Sequence, residues 1–461
     1  MNNTPFGFSS SSDPDEPEDS GSNSGRDDSG SQPDPGTDPM AAMFNALGGA
    51  GGSGTPDLGR MLQQIGQMLQ WQGGPVNWDL ATQQARQVVS AAGDRSVSGS
   101  ERREVEEAFR LADTWLDDAT MFPAGSASPS TWSRAEWVEG TISEWKALVE
   151  PVAERVSSTM GDALPAELGE MAGPLMGMMR QVGVSMWGAQ VGQSIGTLAG
   201  EVFGATDIGI PLAGHRPAQL PANVSEFGKD LGVDERDIRL YLALRETAHL
   251  RLYSHATWLR AHVQSLIEEY AQHVTVDTER IESSLRDIDP SNPEAISEAM
   301  SGGLFDLPVT PAQQAALDRL ELVLALVEGW VDDVVTEATS GRLPSANALR
   351  ETIRRRRASG GPAEQTFASL VGLQLRPRRS REAASFWAAV REARGTEGRE
   401  DVWASAESLP RADDLTDPTV FLATAAFDFS ALAEELNTDV NDDDDGGGSN
   451  GDADPGGTPT G

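Results

Sequence analysis

The sequence predicts a mainly α-helical protein: a multi-helix bundle with at most minor strands, flanked by disordered acidic tails. Three observations carry this reading. Apolar residues recur at three and four spacing through most of the centre of the 461-residue chain. No run of alternating β-branched residues between turn signals is long enough for a substantial sheet. Both ends are rich in Ser, Gly, Pro and Asp and lack the apolar side chains needed to pack. With 38% hydrophobic residues the remainder can bury a sizeable core. The expected layout is an arm over residues 1–75, a helical body over 76–436 with a division into two lobes near 205–233 left open, and a tail over 437–461.

Taken in order, the arm contains a short apolar stretch from Met40 to Leu47 and a Met- and Gln-rich patch from Met61 to Trp71, room for one or two short helical pieces. Helices are expected over Asn77–Ala92, Ser100–Met121, Thr131–Met160, Asp234–His273 and Pro311–Ala338, each bounded by Pro, Gly, Ser or Asp. The stretch from Met171 to Gly204 differs, because Gly188, Gly192, Gly196, Gly200 and Gly204 recur at every fourth position in an apolar run. Such a small-residue face allows close helix contact in membranes as well as in water. Gln181, Gln190, Gln193, Ser185, Ser194 and Thr197 lie in the same stretch, with Arg180 and Glu201 at its edges. Their polarity favours a tightly packed soluble helix over a membrane span.

The charge balance excludes some functions. Net charge is −37; residues 1–40 hold nine acids and Arg26, and residues 437–461 hold seven acids and no base, so the part between keeps −22. An acidic body argues against nucleic acid or an anionic membrane as the main partner. Cysteine is absent, which removes disulfides, thiolate zinc sites and a cysteine nucleophile, and any metal must be held by His, Asp or Glu. The first residues show neither a cationic stretch nor an apolar run, so the expected location is cytoplasmic. No phosphate-binding Gly-x-x-x-x-Gly-Lys loop, dinucleotide fingerprint or Gly-x-Ser-x-Gly elbow is present.

The chemistry-bearing segment is Leu244-Arg245-Glu246-Thr247-Ala248-His249, inside the helix expected over Asp234–His273. In His-Glu-x-x-His, two histidines four apart grip zinc from one helical face and the glutamate polarises the attacking water. Glu246 and His249 match the second and last positions, while Arg245 stands at the first. A guanidinium remains protonated and has no lone pair for a metal. His255 lies about 240° around the helix and about 9 Å along it from His249, out of range of a shared ion in an unbroken helix. His262 and His273 are further away, and His215 sits in a loop bounded by Pro211 and Gly214.

A second helix carries Leu326-Val327-Glu328-Gly329-Trp330-Val331-Asp332, with two acids four apart on an apolar surface. Further on come Arg354 to Arg357, Gly360-Gly361-Pro362-Ala363-Glu364, and Phe367 and Leu370 through Arg379. In these segments, and from about Asn77 to about Leu422 as a whole, the chain resembles the zincin-like metallopeptidases of bacteria. The resemblance implies a helical zincin-like fold and peptide-bond hydrolysis, with Glu246 as general base, His249 and Glu328 as zinc ligands, and Asp332 as an orienting acid. It implies zinc as cofactor and a peptide or protein as substrate or partner. Two positions depart from it: Arg245 replaces a ligand, and Trp403-Ala404-Ser405-Ala406-Glu407-Ser408-Leu409-Pro410 lacks a histidine found in relatives. With these departures, the expectation divides between a zinc hydrolase and a metal-free protein that binds a peptide or protein, with Arg245 paired to Glu328 or Asp332.

Other readings remain beside these. Glu246 and His249 could be a polar pair satisfied in a helical core. Glu246-x-x-His249 also has the spacing of a carboxylate-bridged two-metal bundle, but that site needs the motif twice and no second copy occurs. From Arg342 to Arg399 there are thirteen arginines against five glutamates, a local excess of +8. Arg354, Arg355, Arg356 and Arg357 are therefore a candidate anion site. The alternative, preferred for a body this acidic, makes them internal partners of the acidic helices or tails. In a purely structural reading, the acidic tails pair with the arginine-rich segment.

Overall fold

The computed structural model describes residues 73–162, 172–274, 310–358 and 379–423. The arm as far as residue 72, the tail from 437 and the family-like stretch from Gly360 to Arg378 lie outside the described residues. The described part is mainly α-helical. Its helices are α1 (Trp78–Ala91), α2 (Gly99–Leu116), α3 (Arg134–Asp162), α4 (Ala172–Ala199), α5 (Pro221–Gly228), α6 (Glu235–His255), α7 (Thr257–Gln272), α8 (Pro311–Thr339), α9 (Ala346–Ala358) and α10 (Ser380–Glu400). Two 3₁₀ turns, Asp401–Trp403 and Ala406–Ser408, follow α10. One parallel pair of two-residue strands, β1 (Ser130–Thr131) and β2 (Ala218–Gln219), places Ser130 opposite Ala218 and Thr131 opposite Gln219.

Local chemistry starts several helices where they are needed. Ser98 and Glu101 form a reciprocal capping box at α2, and Thr310 and Gln313 form another at α8, where Pro311 occupies the first turn. Asp234 caps α6, with Glu235 and Asp237 in its first turn. Helices α6 and α8 are the centre of the molecule. Every residue of α6 from Ile238 to Tyr253 is buried, and so is every residue of α8 from Val323 to Val335. A helix buried all round has neighbours on every side. α6 meets α2, α5, α8 and α9, and α8 meets α7, α9 and α10 as well. Polar residues on these two helices are therefore held against one another inside the protein.

Two helix boundaries differ from the sequence expectation. The helix expected to reach Met121 stops at Leu116, and buried arginines satisfy carbonyls beyond its end: Arg251 donates to the carbonyl of Phe122, and Arg399 to that of Ala119. The helix expected to run unbroken over Asp234–His273 breaks at Ala256, which has ψ of 69°. No glycine or proline marks this break. It lets α7 pack on α3 and α8, and allows the Trp258 indole to donate to the carbonyl of Trp403.

The glycine ladder is a helix–helix contact. A Cβ on Gly188 would lie 2.7 Å from the Asn77 carbonyl, and one on Gly196 would lie 2.7 Å from Val88 Cβ, so α4 crosses α1 at backbone distance. Asn223 closes the end of α4, its side-chain amide donating to the carbonyls of Ala199 and Val202. Among the described residues no helix is long and apolar enough to cross a membrane.

Candidate functional site

Glu328 of α8 and His249 of α6 come together, with His249 Nε2 3.0 Å from Glu328 Oε1. Both are buried. The other ring nitrogen of His249 donates to the carbonyl of Arg245 at 2.8 Å, one helical turn back. The ring thus spans a backbone carbonyl on one side and a carboxylate on the other. Arg245 donates from its guanidinium to Glu328 Oε2 at 2.6 Å. Arg357 of α9 pairs with the same oxygen and donates to the Asp207 carbonyl at 2.9 Å. Three cationic or cation-forming groups thus converge on one buried carboxylate. Burial by itself would raise the Glu328 carboxyl, but Arg357, His249 and Arg245 together hold it well below the usual carboxylate range.

The remaining arginines of α9 are also used within the protein. Arg354 pairs with Asp332 at 2.5 Å, so this acid, one turn beyond Glu328, faces Arg354. Arg356 donates to the Glu201 carbonyl at 2.6 Å and lies over the Phe203 ring at 4.4 Å. Arg355 pairs with Glu351 on the exposed side of the helix.

Glu246 takes no part in the Glu328 cluster. Its Oε1 accepts from the Ala205 and Ala218 amides at 3.0 and 3.1 Å, and its Oε2 from the Thr206 amide and hydroxyl at 3.0 and 2.6 Å. Burial pushes its carboxyl up to about 7, opposed by these donors and reinforced by nearby Asp207. Gly204 makes room for this arrangement, since a Cβ there would lie 2.5 Å from Glu246 Oε2.

The site includes residues that pattern reading did not nominate. Gly209 has φ of 80°, and a Cβ on it would lie 3.5 Å from Glu328 Oε1. Tyr253, one turn after His249, donates its hydroxyl to the Gly209 carbonyl at 2.8 Å. The loop signal was present in Gly204-Ala205-Thr206-Asp207-Ile208-Gly209, a Thr-Asp pair between two glycines. The other histidines lie apart from the cluster. His215 is exposed and paired with Ser254 at 3.1 Å, while His255 stacks on Phe122 at 4.7 Å. Trp403 stacks on Trp387.

A zinc ion held for catalysis requires three protein ligands with free lone pairs and an open position. His249 and Glu328 are two candidates, but the first-ligand position is a guanidinium that donates to the second of them. This donor set does not fit the metal. Among the described residues, no group of three or more His, Asp or Glu side chains is gathered as a metal site.

Comparison with known proteins places the chain in a family. The zincin-like metallopeptidase family matches residues 76–422. A solved structure from Chloroflexus aurantiacus, described as "a putative hydrolase with a novel fold", superposes with a TM-score of 0.56 at 20% identity, covering 76% of this chain and 99% of that one. At that identity the likeness establishes the fold. No curated protein matches the chain. The matched span includes α6, α8 and the whole of the Arg245–His249–Glu328 cluster, and the chain belongs to the zincin-like metallopeptidase family.

Proposed function

We propose that this chain is a zincin-fold protein in which the Arg245 guanidinium stands in for the catalytic metal, and that it binds a peptide or protein partner without hydrolysing it. The observation that carries this reading is the buried 2.6 Å contact between Arg245 and Glu328. A fixed cation at the first-ligand position supplies the positive charge that the carboxylate and its neighbours need, with no exchangeable ion. Family membership supports the partner class, because peptidase-like relatives act on peptides. The hydrolase reading, with Glu246 as base and zinc on His249 and Glu328, is favoured by the same membership and by the 3.0 Å approach of those two side chains.

Elemental analysis separates the two. The wild type and an Arg245→His variant are purified without affinity tag or chelator, and bound zinc is measured per chain. Zinc is expected to be absent from the wild type and present at about one equivalent in the variant, whose new imidazole adds a ligand one turn from His249. Stoichiometric zinc in the wild type would overturn the proposal in favour of the hydrolase. No zinc in either would remove the idea that the arginine replaces a metal.

A further inference from the structure

Glu246 occupies the position of a water-activating base in the motif, yet its carboxylate is enclosed by four donors from outside its own helix. Three are backbone N–H groups, those of Ala205, Thr206 and Ala218, and the fourth is the Thr206 hydroxyl. Convergent backbone amides with an added hydroxyl make a concave anion-binding nest. The nest joins the turn after α4 to β2, and the same turn is fixed from its other side by the Trp137 indole donating to the Gly204 carbonyl at 2.9 Å. We propose that Glu246 is the resident ligand of a carboxylate-binding nest, a positioning residue that holds residues 204–206 and β2 onto α6, and is thereby kept from activating water. The nest should then accept a small free carboxylate once its own is removed.

This inference stands on different atoms from the Arg245–Glu328 contact. Zinc in the wild type would overturn the partner-binding proposal and leave the tests of the nest unaltered. The first test is chemical rescue of full-length Glu246→Ala, followed by thermal unfolding with formate, using chloride at equal ionic strength as control. The variant is expected to melt about 5 °C or more below the wild type. Formate should restore a large part of that loss and leave the wild-type midpoint unmoved. A variant that melts with the wild type, or a formate effect equal in both proteins, overturns the proposal.

Thr206→Val provides a second test that leaves Glu246 in place, and it decides the matter alone if Glu246→Ala does not fold. The carboxyl is raised on folding, so its contribution to stability is full below its unfolded value and is lost as pH rises through its folded one. Asp207, close by, adds like charge in the same direction. Removal of the hydroxyl donor further disfavours the ionised form. The midpoint deficit of Thr206→Val should therefore widen between about pH 5 and about pH 8. An equal deficit at both pH values would overturn the nest.

Discussion

Glu328 and Glu246 are both buried carboxylates, yet their surroundings drive them in opposite directions. Glu328 faces Arg245, Arg357 and His249 and is held ionised, whereas Glu246 is solvated by neutral donors and raised by burial. The contribution of Glu328 to stability is therefore present above the unfolded carboxylate value and is lost as pH falls through its depressed folded value. Glu328→Gln should cost on the order of 3 kcal/mol at neutral pH, because it leaves buried Arg245 and half-buried Arg357 without their counter-charge. Urea unfolding from neutral pH down to about pH 3 should show a steep acid limb in the wild type and a flatter one in the variant. Parallel limbs would mean that Glu328 is not the ionised centre of the cluster. Arg245, His249 and Glu328 were legible in the sequence because motif spacing and buried acids nominate them. Thr206, Gly209 and Tyr253 were not, because their roles depend on contacts between segments about 40 residues or more apart in the chain.

Among the elements, the glycine ladder of α4 was visible as a spacing, but its partner was not. The crossing with α1 gives opposite outcomes at two glycines of one helix. Gly196→Val would press into Val88 and the Ala85 carbonyl and should lower stability by about 1–3 kcal/mol. A Cβ on Gly183 meets nothing within 4 Å, so Gly183→Ala should raise stability by about 0.5–1 kcal/mol through helix propensity. Thermal melts of the two variants check both signs, and equal effects would contradict the crossing. The boundaries at Leu116 and Ala256 escaped the sequence reading for a related reason. Neither has a breaker residue; side chains from distant helices take up carbonyls of the first, and long-range packing determines the second.

At the scale of the whole molecule, buried arginines connect regions distant in sequence. Arg399 is fully buried at the end of α10, where it pairs with Asp333 at 2.8 Å and Glu400 at 2.7 Å and donates to the Ala119 carbonyl at 2.7 Å. It joins α10 to α8 and to the turn after α2. Arg399→Ala should cost about 3 kcal/mol, since buried Glu400 loses its cation and Asp333 keeps only Arg391. The urea midpoint should fall while the slope stays constant, indicating loss of stability without loss of cooperativity. A change confined to the slope would contradict a role in joining these regions. The excess of arginine between residues 342 and 399 acquires a physical account at this scale. Within the described residues, Arg354, Arg356, Arg357, Arg391 and Arg399 are spent on carboxylates and carbonyls of the same acidic body.

The sequence by itself determined the helical class, the near absence of sheet and the family likeness, and it places Arg245 directly before Glu246. All of these rest on local periodicity, composition and the chemistry of single residue types. Only the tertiary structure decided what each charged group meets: Arg245 and Arg357 neutralise Glu328, Arg354 neutralises Asp332, and Glu246 takes neutral donors from a turn 40 residues before it in the chain. Spacing within a helix sets which side chains share a face. Which partners meet that face depends on how buried helices pack, and the free energy of a buried charge depends on those partners.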